Sequence, residues 1–344
     1  MINKEPKGVE NIFPYLASML DLDPSSTVIT QFKGGYSNLT YLINSPSGEY
    51  VLRRPPLGLK ISKAHDMARE FKVLQALSKA GYSKVPKPVI CCEDESVIGA
   101  PFFIMEKVKG LILRNKIPDG LELGPDFFRK LSGNTVDGLL ELHSLDLKKS
   151  GLGDLGKPGG YVKRQVVGWS ERYFNAKTDE LKEMEMVSEW LNEHIPSQEN
   201  VAFIHNDYKY DNLVLSGGDN PEIKAVLDWE MATVGDPLMD LGTCLAYWAE
   251  AGDPDILKMF NLSYLPGNFT RNEVLQHYRS KSPLNLENIL FYYVFGLFKV
   301  GVIAQQIYKR FTLGFSQDPR FAGLIHVVNA CGKTALKSIQ TEKI

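Results

Sequence analysis

The segment Phe203-Ile204-His205-Asn206-Asp207-Tyr208-Lys209-Tyr210-Asp211-Asn212-Leu213-Val214-Leu215 constrains the fold more than any other stretch of this chain. Apolar residues flank a polar octet, which predicts two short strands joined by a loop that presents Asp207 and Asn212 to a ligand. The spacing fits H-x-D-x-x-x-x-N. Ser216-Gly217-Gly218-Asp219-Asn220-Pro221 is turn chemistry, and residues 223–227 form the next strand. If that strand pairs back on residues 213–215, it returns Asp228 to within a few residues of Asn212 and two hard oxygen ligands converge. Magnesium favours oxygen ligands, keeps several waters and is commonly held by one or two protein groups together with substrate phosphates. Asn212 and Asp228 are therefore the candidate metal ligands.

Upstream, the pattern is that of a small sheet. Residues 27–33 and 39–43 alternate like strands around Gly34-Gly35-Tyr36-Ser37-Asn38. Residues 49–53 follow the Ser45-Pro46-Ser47-Gly48 turn as a third strand of an antiparallel meander. Residues 63–79 place Met67, Phe71, Leu74 and Leu77 at helical spacing, with Gly81 just past the end as a C-cap. Residues 102–105 read as a buried strand, and the composition changes near residue 107. Beyond it, helices are predicted over 126–143, 161–176, 183–193, 273–280, 286–311 and 320–338. The chain has 344 residues, more than one hydrophobic core usually serves, so two lobes are expected. The division is a small β-rich lobe at 1–107 and a larger, mainly helical lobe at 108–344. Asp236 before Pro237 reads as an N-cap with proline at N1, and the aromatic run over residues 291–298 reads as core.

The two halves carry complementary parts. Backbone N–H groups of Gly34, Gly35, Ser37 and Asn38 can turn toward phosphate. The third strand brings in Arg53 and the following helix Glu70; this pair is either a clamp on a cation over the phosphates or an exposed pair of little energetic value. The connector after residue 105 offers backbone groups of Glu106 and Val108 to an adenine ring. In phosphoryl transfer a loop carboxylate accepts the hydroxyl proton, the role that suits Asp207. His205 reads as a hydrogen-bonded histidine that orients the loop, and Asp240 as support.

With these parts in this order, the chain resembles the aminoglycoside phosphotransferase and choline kinase-like family over about residues 27–250. Tyr50-Val51-Leu52-Arg53-Arg54-Pro55-Pro56, Ala68-Arg69-Glu70-Phe71 and Val226-Leu227-Asp228-Trp229-Glu230 are similar to the subgroup related to the kinase-like domain fused to acyl-CoA dehydrogenases. The resemblance implies an α+β, bilobal protein-kinase-like fold with a small antiparallel-sheet N-lobe. It also implies ATP and magnesium as cofactors, and a small-molecule hydroxyl as acceptor. Asp207 maps to the family's catalytic aspartate, Asn212 and Asp228 to its magnesium ligands, and Glu70 to its helix glutamate. Three features depart from the family pattern. Arg53 stands where lysine is usual, the hairpin lacks a full G-x-G-x-x-G, and His205-Asn206-Asp207 replaces His-Gly-Asp.

Composition narrows the partners. A formal net charge of −2 gives no basic excess for a polyanion, so nucleic acid is not expected. Four cysteines without C-x-x-C spacing argue against structural zinc and disulfides, and with no secretory signal visible the expected compartment is the reducing cytoplasm. The apolar run 289–298 is about half of a membrane span and ends at Lys299, so it reads as a buried helix. Residues 251–344 hold 11 Lys and Arg against 6 Asp and Glu, which favours a neutral or anionic acceptor over a polycationic antibiotic. A hydroxyacyl-CoA, suggested by the subgroup resemblance, fits that charge. Two other readings stay open at this level: a nucleotide-binding pseudokinase that regulates a partner, and a metal-dependent hydrolase using His205, Asp207 and Asp228.

Overall fold

A computed structural model describes residues 6–32, 38–56, 66–316 and 318–344, and the chain divides into two compact units. The first holds the described residues up to Lys109 together with Lys224–Met231; the second holds Gly110–Ile223 and Ala232–Ile344. A cut at residue 107 leaves 224–231 with the helical part, whereas the structure gathers that segment into the sheet-bearing unit. Backbone and ring contacts explain the difference. Val226 donates its N–H to the carbonyl of Lys84 at 2.9 Å, and Trp229 stands edge-on to Tyr82 with centroids 6.1 Å apart.

In the first unit the chain order is α1 (Ile12–Leu20), β1 (Val28–Gln31), β2 (Leu39–Ser45), β3 (Gly48–Arg54), α2 (Met67–Lys79), β4 (Pro88–Cys92) and β5 (Phe102–Glu106). The strands form one antiparallel sheet in the order β1-β2-β3-β5-β4. Alternation sorts its residues by face. Tyr41, Ile43, Leu52, Phe102 and Ile104 turn to a core shared with Val9 and with Ile12 and Leu16 of α1. Arg53 and Phe103, register partners on β3 and β5, therefore fall on the other face, where Phe71 of α2 lies 6.2 Å from Phe103. The period of two thus sets a cation on the α2 side of the sheet.

Helix α2 is closed at both ends by local chemistry. Asp66 accepts the N–H of Arg69 at 2.9 Å as N-cap. Gly81 takes the left-handed conformation (φ 79°), donating to Ser78, while Tyr82 donates to Leu77, which is a Schellman ending. These caps fix where the helix begins, and Glu70 falls in its first turn. Sequence pattern does not announce α1 or β4. Asn11 makes no side-chain cap for α1, and β4 opens on a proline with its first four residues only half-buried.

The second unit is mainly helical: α3 (Pro125–His143), α4 (Leu147–Ser150), α5 (Tyr161–Ala176), α6 (Lys182–Glu193), α7 (Pro237–Tyr247), α8 (Asp255–Lys258), α9 (Arg271–Lys281), α10 (Ile289–Thr312) and α11 (Leu324–Thr341). Its short strands β6 (Ala202–Ile204) and β7 (Leu213–Leu215) bracket the polar octet. β8 (Ile223–Val226) leads from this unit into the first, and β9 (Thr233–Gly235) returns to pair antiparallel with β6, Val234 opposite Phe203. By length and composition α10 could cross a membrane, yet most of it is buried inside this unit, where it packs on α5, α6, α7 and α11. Phe291, Tyr292, Tyr293, Phe295 and Phe298 are all core residues. Close approach of α7 and α10 depends on Gly242 and Gly296, since a Cβ on either would run into the backbone of the facing helix. Asp236 caps α7 by accepting the N–H of Leu238 at 2.8 Å.

Candidate active site

The first unit contributes a buried ionic cluster. Arg53 on β3 is 8% exposed and Glu70 on α2 is 2% exposed, which decides against a weak surface pair. The guanidinium fork is divided: Nη1 meets Glu70 Oε1 at 2.9 Å and Nη2 meets Asp228 Oδ1 at 3.0 Å, with Glu230 Oε2 at 3.9 Å. Burial works against the charge of Arg53, but Glu70, Asp228 and Glu230 together hold its pKa above the ordinary value. Burial likewise pushes the Glu70 carboxyl up, against the pull of Arg53. A planar fork serves two carboxylates at once, which a lysine ammonium does with less directional control.

Asp228 sits in the left-handed region at φ 66°, a conformation that Asp tolerates better than most residues. Its turn is fixed by the buried Trp229, whose Nε1 donates to the Val226 carbonyl at 2.8 Å, and by Arg69, which donates to the Glu230 carbonyl at 3.2 Å. Asn38 donates its amide to Glu230 Oε2 at 2.9 Å. Gly34, Gly35 and Ser37, the remaining expected phosphate contacts, lie outside the described residues. Glu106 closes β5 with its N–H given to the Lys87 carbonyl at 2.9 Å, and Val108 follows just beyond the strand.

In the second unit the polar octet becomes a loop between β6 and a 3-10 turn at Tyr210–Asn212, as its pattern predicts. Two neighbours hold the Asp207 carboxylate. Asn212 Nδ2 donates to Oδ2 at 3.0 Å, and Lys209 Nζ lies 3.1 Å from the same oxygen. Burial, with the negative charge of Asp207, pushes the pKa of the Tyr247 hydroxyl up. Lys209 also stands 4.5 Å from the Tyr247 ring centroid. Asn212 commits its amide nitrogen to Asp207, and its amide oxygen takes no part in those two bonds.

Beneath this surface the loop backbone is pinned. Fully buried Asp240 on α7 accepts the N–H of His205 at 2.7 Å through Oδ2 and that of Asn206 at 2.7 Å through Oδ1. His143 Nε2 lies 3.2 Å from Oδ2, and its Nδ1 lies 2.8 Å from the Tyr278 hydroxyl. Burial alone would raise the Asp240 carboxyl; the hydrogen bond and charge of His143, with His205, hold it below the usual carboxylate value. His205 is buried and accepts the Asp207 N–H through Nδ1 at 3.2 Å, the orienting role its position suggests. Sequence reasoning kept Asp240 only as support and passed over His143, Lys209, Tyr247 and Lys299. For Lys209 the signal was its place two residues after Asp207, and for Lys299 it was a lone charge in an apolar run.

Asn206 adopts φ 68°, which explains why asparagine can stand at a position where the resemblance leads one to expect glycine. Its Nδ2 also reaches the Tyr161 hydroxyl at 3.1 Å. Asn206→Gly is expected to keep near wild-type stability, whereas Asn206→Ala should be less stable than the glycine variant by about 1–2 kcal/mol. Urea midpoints measure the difference, and equal midpoints would remove the conformational argument.

An antiparallel sheet with a strand cation locked to a helix glutamate, and a helical unit bearing an H-x-D-x-x-x-x-N loop, together define a protein-kinase-like α+β fold. The chain matches the model of the phosphotransferase enzyme family over residues 28–276, and it belongs to that family. Acyl-CoA dehydrogenase family member 10 of Mus musculus is 36% identical over 307 residues, covering 87% of this chain and 28% of its own length. Member 11 of Homo sapiens is 34% identical, covering 91% of this chain and 40% of its own length. The chain thus spans well under half of the curated relatives it matches. A Ralstonia eutropha protein solved as a candidate aminoglycoside phosphotransferase shares 28% identity at TM-score 0.75, with 95% of this chain and 98% of that one covered. These likenesses bear out the resemblance drawn from the motifs.

Proposed function

We propose that this chain transfers the γ-phosphoryl group of magnesium-bound ATP to a hydroxyl of a small molecule. The observation that carries this reading is the Asp207 carboxylate, set on a pinned loop among Lys209, Asn212 and Tyr247. A carboxylate so positioned serves as the base that receives the acceptor's proton. Bound magnesium would offset charge on the phosphates, and Asp228 and Asn212 are the residues that would supply its oxygen ligands. Both residues fit that ion, Asp228 as a carboxylate with a third of its side chain exposed and Asn212 through its amide oxygen. Glu70 orients Arg53, and Arg53 in turn steadies Asp228. Among the described residues no three His, Cys, Asp or Glu side chains group to hold a metal by themselves, which favours a metal shared with phosphate over a hydrolase centre.

For the acceptor we favour a neutral or anionic metabolite, with a hydroxyacyl thioester first. The curated relatives carry acyl-CoA dehydrogenase names, and the basic balance of residues 251–344 suits an anionic tail. The four free cysteines suit a reducing, cytoplasmic setting. Transfer of label from γ-labelled ATP to hydroxyacyl thioesters, sugars, amino alcohols and aminoglycosides tests the proposal. Label is expected on the thioester or another uncharged or anionic hydroxyl. Turnover with aminoglycosides alone would reject the charge argument, and tight ATP binding without transfer to any acceptor would favour the pseudokinase.

A further inference from the structure

Lys299 is the only charged residue of α10 before Lys309, it is 2% exposed, and its ammonium reaches the carbonyl of Asn206 at 2.6 Å. A buried ammonium on an apolar helix carries a desolvation penalty that its partners must offset. The partner here is the peptide joining Asn206 to the candidate base. That peptide has both of its polar groups held: the N–H of Asp207 by the His205 ring at 3.2 Å, and the C=O of Asn206 by Lys299. The preceding two N–H groups are held by Asp240. Charged groups near Lys299 come from three elements, Asp207 and Lys209 from the loop, Asp240 from α7 and Arg172 from α5. The Trp169 ring of α5 lies 5.8 Å from the ammonium.

We propose that Lys299 is a positioning residue for phosphoryl transfer: by anchoring the Asn206 carbonyl it completes the clamp on the 206–207 peptide and fixes the bearing of the Asp207 carboxylate. Burial lowers the pKa of its ammonium to about 8, with Asp207 and Asp240 opposing, which is the electrostatic counterpart of that placement. A residue kept for packing alone would be replaced by methionine with little consequence, since buried charges are often no more stabilising than apolar side chains of similar volume.

The proposal rests on the function argued above, and one pair of measurements separates the two. Hydrogen exchange read by mass spectrometry on the full chain reports on the loop without any turnover. Lys299→Met is expected to speed exchange of the amides of residues 205–208 by about tenfold, the loss of a charge-assisted hydrogen bond, while α7 and α10 exchange as in wild type. In the transfer assay the same variant should lower kcat by about 10–100-fold with the KM for ATP within about twofold. Lys299→Gln keeps a donor and should recover part of both effects. Unchanged exchange at 205–208 overturns the proposal. So does a rise spread evenly over α7 and α10, which would mark Lys299 as a general support of the core. If the wild-type chain transfers no phosphate, the proposed function fails and the exchange result alone decides the role of Lys299.

Discussion

Asp207→Asn is expected to lower kcat by about 10²–10⁴ while leaving the affinity for ATP nearly unchanged. The substitution keeps the size of the side chain and an oxygen for Lys209 and Asn212, which sit 3.1 and 3.0 Å from the carboxylate. It removes the charge and the capacity to take up the hydroxyl proton. Loss of rate without loss of binding separates a base from a ligand for the nucleotide. Steady-state transfer rates with a calorimetric ATP titration measure both quantities, and a variant with near-normal kcat would show the assignment to be wrong.

The largest expected effect on stability is at Asp240. This fully buried carboxylate accepts two loop N–H groups and faces His143, so Asp240→Ala strands three polar groups in the interior of the second unit. Removing one member of such a buried set typically destabilises by about 3–5 kcal/mol. The pH dependence has a definite sign. Because the folded pKa of Asp240 lies below the ordinary aspartate value of 3.8, the unfolded chain binds more protons in that window. Its contribution is present above the unfolded pKa and fades as pH falls through the folded one. Urea unfolding from neutral to acidic pH is therefore expected to show a stability gap between wild type and Asp240→Asn that narrows toward low pH. A constant gap would contradict the charge-based account.

How much of this was legible in the sequence depends on how local each feature is. The polar octet between β6 and β7 was readable because strand, loop and strand follow within 14 residues (residues 202–215). Gly81 and Asp236 were readable as caps because cap chemistry acts within one helical turn. Arg53 and Glu70 could be paired by order of elements, but their burial could not, since it depends on the α2 face of the sheet being covered. Lys299 meets Asn206 across 93 positions and His143 meets Asp240 across 97, and no periodicity encodes such encounters. The lone buried charge and the capped helix were visible; their partners were not. The helix α1 was missed for a different reason, the absence of a side-chain cap at Asn11.

The proposed phosphoryl transfer requires Asn212 and Asp228 to serve a metal-bound nucleotide. ATP titrated into the full chain with and without magnesium, for wild type, Asn212→Ala and Asp228→Ala, puts that requirement to the test. Magnesium-dependent binding is expected in the wild type, weakened by about tenfold or more in both variants. ATP that binds equally well in the presence of a chelator, with neither substitution changing its affinity, would contradict it.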